Sequence, residues 1–166
     1  MLFRSVGEDD KALNMFEKAL KTSSISSLVS DTTSNSWKPY AIIGNIYIKR
    51  AEYEKGFEYW EKAFQALPKL DVIQGLIDLA FQLRKIDKLK FYLEYLKQKY
   101  PYHKNHQNDI LYANVLFNEN KIEESIKILL TVPDGKVYID QFISGCLSLE
   151  RFDDVALIQE IVSRSV

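Results

Sequence analysis

Apolar residues recur at steps of three and four along most of the chain, and short polar breaks cut that stripe at intervals that themselves repeat. In YAIIGNIY, residues 40–47, the large groups Tyr40, Ile43 and Tyr47 share one helical face with Gly44 at its centre. Beyond a break at KRAEYEK, Tyr53, Trp60, Ala63 and Phe64 form an opposing stripe that contains Gly56. A glycine inside a helix costs roughly 1 kcal/mol relative to alanine. Two of them on facing stripes predict a close helix crossing, with Tyr47 and Trp60 packed across it.

The same arrangement returns three more times. Pro68, Pro101 and Pro133 stand 33 and 32 residues apart, each closing an apolar run of helical period: FEYWEKAFQALP, LKFYLEYLKQKYP and SIKILLTVP. Ahead of the later prolines lie further polar breaks at LRKIDK and NENKIEE, and the last run, YIDQFISGCLSLERFDDVALIQEIV, breaks at LERFDD. Each unit therefore reads as helix, tight turn, helix. Asp71 and either Asn108 or Asp109 are placed as N-caps. Alternating runs bounded by turn residues are nearly absent, so strands are not expected.

The spacing Tyr40, Ile43, Gly44, Tyr47, then Gly56, Trp60, Ala63 and Pro68 resembles the tetratricopeptide repeat, with Gly56 for the usual alanine and Trp60 for the usual phenylalanine. Later units keep the register without the signature glycine, through Ile73, Leu76, Ile77 and Ala80, through Tyr112, Ala113, Leu116 and Ser125, and through Phe142, Ile143, Cys146 and Val155. LFRSVGEDDKALNMFEKAL looks like the second half of one more repeat, with Gly7 at its turn and Ala12, Phe16 and Ala19 on its packing face. The resemblance implies an all-α, right-handed superhelical stack of antiparallel helix hairpins, an α-solenoid. The division is a half-repeat at 1–22, a Ser/Thr-rich loop at 23–36, and hairpins at 37–69, 70–104, 105–134 and 135–166, in one continuous domain. A repeat that starts midway leaves one face unpaired, which implies that the chain is cut from a longer protein.

In such stacks the first helix of each unit lines a concave groove. Here that face would carry Lys38, Asn45 and Lys49, with Ala41 and Ile48 between them. The next unit supplies Gln74, Asp78, Phe81 and Gln82, and the one after it Asn114, Phe117 and Asn118, with Ile110 on the same face. Asp140 and Ser144 follow. Short amides and carboxylates can satisfy a peptide backbone while phenylalanines anchor apolar side chains. Relatives that capture the carboxylate end of heat-shock chaperones use a lysine and asparagine, then an asparagine, then a lysine and arginine. Asn45 fits that pattern, but Ala41, Gly75, Gln107 and Leu111 do not, so chaperone-tail binding is not expected.

Composition narrows the function classes. The chain has 166 residues, 46% of them apolar, and a formal charge of −1, which leaves enough core for one domain and no strong field for nucleic acid. No apolar run approaches a membrane span, no leader pattern opens the chain, and one cysteine makes no disulfide, so a cytoplasmic protein is expected. Charge is uneven along the chain: residues 84–104 sum to +5 and residues 105–166 to −5. Such asymmetry suits an acidic partner or self-association.

Catalytic patterns are missing from the sequence. His103 and His106 lack the carboxylate or cysteine that would complete a metal set, no glycine-rich phosphate loop occurs, and Cys146 lies on an apolar stripe. Asp9–Asp10 and Asp153–Asp154 fall at helix starts, where the helix dipole favours negative charge. No catalytic residue, metal or cofactor is therefore expected. The reading is a non-enzymatic interaction module for a protein or peptide, homo-oligomerisation included, with no nucleic acid and no membrane among its partners. An alternative comes from a second likeness. The half-repeat, the Ser/Thr-rich connection and WKPYAIIGNIY look like repeat tracts that follow the catalytic domain of some bacterial family 2 glycosyltransferases. There they would position a polypeptide acceptor or hold a dimer, although no Asp-x-Asp metal site occurs here.

Overall fold

Four successive helical hairpins fill residues 37–165 of the computed structural model, which describes residues 10–15, 18 and 37–165. The expected half-repeat residues Gly7, Phe16 and Ala19 and the 23–36 segment lie outside the described residues. The hairpins pair α1 (Lys38–Lys49) with α2 (Tyr53–Ala66) and α3 (Leu70–Gln82) with α4 (Ile86–Lys99). They continue with α5 (His106–Asn118) and α6 (Ile122–Thr131), then α7 (Gly135–Ser148) and α8 (Phe152–Arg164). Among the described residues there is no strand, in keeping with the all-α expectation.

The turns inside the hairpins are built alike. Ala51, Arg84, Asn120 and Glu150 each adopt a left-handed conformation, with φ between 56° and 65°. The following amides reach back across the turn: Glu52 to the Tyr47 carbonyl, Lys85 to Ala80, Lys121 to Leu116 and Arg151 to Cys146, at 2.8–2.9 Å. This closure satisfies the last carbonyls of each first helix and reverses the chain. All four turn residues lie in the polar breaks that mark the repeat in the sequence. Three of the four carry the wrong residue type, since a Cβ in this region costs about 1–2 kcal/mol and glycine or asparagine avoids most of it. Arg84→Gly is accordingly expected to raise stability by up to about 1 kcal/mol, seen as a melting temperature about 2–4 °C higher.

Helix starts follow electrostatics more than side-chain capping. Glu54 in α2, Glu123 and Glu124 in α6, and Asp153 and Asp154 in α8 occupy first turns. Asn105 caps α5 by accepting the Asn108 amide at 3.2 Å, so the cap lies ahead of the Asn108 or Asp109 expected from the sequence. Asp71 lies in the first turn of α3, behind Lys69.

Two compact units divide within α4, after Tyr92. In the first, Ile43, Ile73, Leu76, Ile77 and Leu89 are essentially inaccessible. Burying each such side chain contributes about 1.5–3 kcal/mol. Leu13 packs on Ile43 and Ile46, and Asp10 pairs with Arg50, so the described part of the N-terminal segment docks on α1. In the second unit, Ile126, Leu129, Ile158 and Cys146 centre the core. There the buried Ser125 hydroxyl donates to the Ala113 carbonyl at 2.6 Å and ties α6 to α5.

Candidate functional site

Gly44 and Gly56 face each other across the α1–α2 crossing. A Cβ on Gly44 would stand 2.6 Å from Trp60 Cδ1 and 3.1 Å from the Gly56 carbonyl oxygen. A Cβ on Gly56 would stand 2.6 Å from Ile48 Cγ1 and 3.0 Å from the Gly44 carbonyl oxygen. The two backbones thus touch through their missing side chains. Trp60 goes further than the sequence suggested, because its far edge lies on α3, 2.7 Å from where a Cβ of Gly75 would be. One indole is lodged between two glycines of different helices. Tyr47 does not share that site; its ring stacks on Tyr59 at 5.5 Å between centroids.

Trp60 also reaches the face expected to bind a partner. Its indole N–H donates to Asn45 Oδ1 at 3.2 Å, an interaction that uses the oxygen of the Asn45 amide and not its N–H donors. On α3, Gln74 Nε2 donates to Asp78 Oδ1 at 3.1 Å, so Asp78 keeps acceptor capacity on its second oxygen. Within the first unit the face therefore offers a fixed donor on α1 and a fixed acceptor on α3. Lys38, Asn45, Lys49, Asp78 and Gln82 are exposed and Gln74 is half-buried. Phe81 is 57% exposed, a large apolar group left in water.

The second unit repeats the theme with a different anchor. Asn118 is exposed, Asn114 is half-buried, and Phe117 is half-buried because it stacks on Phe142 of α7 at 4.2 Å. The Arg151 guanidinium lies over the Phe117 ring, 5.7 Å from its centroid. Asp140 and Ser144 on α7 are exposed. Some expected members of the face are absent from it. Ala41 and Ile110 are buried, and Ile48 turns toward Gly56.

The +5 segment is partly neutralised in space. Lys85 pairs with Glu54 at 2.9 Å and Lys88 with Glu61 at 2.7 Å, both carboxylates belonging to α2. Glu61 also accepts the buried Tyr92 hydroxyl at 2.8 Å, and burial together with that bond holds the phenol far above its usual range. Of the segment's other cations, Lys97 and Lys99 lie in the last turn of α4 and Lys104 in the loop beyond it.

Among the described residues no three His, Cys, Asp or Glu side chains cluster as a metal set. Cys146 is 1% exposed, and burial pushes its thiol pKa up, the opposite of an activated nucleophile. No described helix is long and apolar enough to cross a membrane.

No known family profile matches the chain, and no characterised protein matches it by sequence. Solved structures do match. YrrB, described as a TPR protein with an unusual peptide-binding site, matches at a TM-score of 0.61 and 20% identity over 98% of this chain and 78% of that one. MamA from Desulfovibrio magneticus RS-1 matches at a TM-score of 0.55 and 12% identity, covering 94% of this chain and 92% of that one. A complex of Naa15 and Naa10 bound to HypK matches at a TM-score of 0.60 and 14% identity, covering 99% of this chain but 23% of the matched one. At these identities the likeness establishes the fold, that of tetratricopeptide-repeat proteins.

Proposed function

We propose that this chain, with its tetratricopeptide-repeat fold, is a non-enzymatic interaction module that binds a protein or peptide along the first helices of its hairpins. The observation that carries this reading is the oriented polar pair Asn45 and Asp78, donor and acceptor, beside the exposed Phe81. A peptide backbone needs both kinds of partner, and an apolar anchor supplies most of the affinity. Asn114 and the Phe117–Phe142 stack offer the same combination in the second unit. Lys38, Lys49, Gln74, Gln82 and Asn118 would form the polar rim, where single contacts contribute specificity more than affinity. YrrB, whose structure is described as having a peptide-binding site, supports this class of function by likeness of fold.

The test separates binding from folding. Asn45 is tied to Trp60, so its removal disturbs the hairpin as well; Asp78, Phe81 and Asn114 are the cleaner targets. A partner captured by affinity purification and identified by mass spectrometry is expected to bind the Asp78→Ala, Phe81→Ser, Asn114→Ala triple variant at least about tenfold more weakly. The circular dichroism and melting curve of that variant should match the parent. Undiminished binding would move the site off this face.

A further inference from the structure

In the second unit the end of α4, the 100–105 loop and α5 meet α6. A cleft of about 390 Å³ opens there, within the size range of ligand sites. Lys97, Lys104, Lys127 and His103 line it together with Tyr100, Pro101 and Ile128. One acid, Asp109, faces these cations, and Lys127 is shared with Glu123 at 2.8 Å. A narrower hole of about 40 Å³ shares Lys97, Tyr100, His103 and Asp109 with the cleft and is lined besides by Leu93, Leu96 and Tyr112 and by the amides Asn105 and Asn108. Lys97, which lines both spaces, has its ammonium over the Tyr112 ring at 5.2 Å.

We propose that this bipartite cleft binds an acidic peptide, seating one apolar side chain in the narrow hole and its carboxylates against Lys97, Lys104 and Lys127. The occupant is set by charge and shape. Lys97 and Lys104 outnumber Asp109, and Lys127 adds an ammonium it shares with Glu123, so the cleft attracts anions. Leu93 and Leu96 in the hole beside it favour a chain that presents both characters within a few residues. Asp109 then serves a peptide N–H, since a carboxylate accepts where the lysines donate. None of the groove residues lines either space, so this surface is additional to the one proposed above and does not depend on it.

The experiment uses fluorescence anisotropy with a fluorescein-labelled peptide carrying one leucine between two pairs of glutamates. Its controls are a counterpart with alanine for leucine, a counterpart with lysines for glutamates, and a labelled oligothymidylate. The expected dissociation constant is on the order of 10–100 μM at low salt, rising with ionic strength. Lys97→Glu with Lys104→Glu should weaken binding about tenfold or more, and the corresponding glutamine pair by a smaller factor in the same direction. Both lysines are exposed, and an unchanged circular dichroism melt establishes that the fold persists. The Asp78→Ala, Phe81→Ser, Asn114→Ala protein should bind this peptide as the parent does. The proposal is overturned if the acidic peptide fails to bind, if the lysine substitutions leave affinity unchanged, if the groove variant abolishes binding, or if the oligothymidylate binds in the peptide's place.

Discussion

Gly44→Leu is expected to destabilise the protein by about 3 kcal/mol or more, lowering the melting temperature by roughly 6–12 °C. The even smaller alanine Cβ already falls 2.6 Å from Trp60 Cδ1 and 3.1 Å from the Gly56 carbonyl oxygen. Neither obstacle can retreat. The carbonyl belongs to the α2 backbone, and the indole is held on its far side by α3, where Gly75 leaves just enough room for it. A leucine would have to part α1 from α2 or expel Trp60, and either movement uncovers the Ile43 and Ile46 side of the core. Thermal unfolding followed by circular dichroism reads the effect directly, and an unchanged midpoint would contradict the crossing register.

Gly135→Ala should cost about 3 to 5 kcal/mol although it adds a single methyl group. Gly135 opens α7 directly after Asp134, which is left-handed at φ 60°. A Cβ on Gly135 would lie 1.7 Å from the Leu129 carbonyl oxygen, about half of an ordinary carbon–oxygen contact. The obstruction is backbone, so relief requires the whole α6–α7 turn to move and the Gly135 amide to leave the Val132 carbonyl at 3.0 Å. Urea unfolding should show a lower midpoint, and hydrogen exchange should accelerate in α7 and α8 ahead of α1 and α2. Gly145 supplies the control on the same helix. Nothing lies within 4 Å of its Cβ position, so Gly145→Ala should stabilise by about 0.5–1 kcal/mol.

The architecture was legible because its causes are local. Apolar periodicity, prolines after the second helices and polar breaks at the turns are all short-range signals, and they place Gly44 against Gly56 without any knowledge of the third helix. Gly75 shows where such reasoning stops. In the sequence it is merely a small residue where a polar one was sought, whereas in the fold it is the far wall of the Trp60 site. That contact joins residues 15 apart, and no helical spacing encodes it. The same long-range packing turned Ala41 and Ile48 inward and assigned Asn45 a partner. Face membership could be read from helical register, but occupation of each polar group depends on side chains arriving from the neighbouring helix. The uneven charge behaved likewise: Lys85 and Lys88 are read as free cations along the chain and are paired with α2 carboxylates in the fold.

Trp60, wedged between Gly44 and Gly75 and bonded to Asn45, connects the packing of the first hairpins to the face proposed to bind a partner. A double-mutant cycle on the wedge tests this most directly, with unfolding free energies measured for Gly44→Ala, Trp60→Leu, the pair together and the parent. Non-additivity of about 1–2 kcal/mol is expected, with the indole's share of the alanine's cost gone and only the contact with the Gly56 carbonyl left. Additivity within about 0.5 kcal/mol would mean that the glycine and the indole do not share a site.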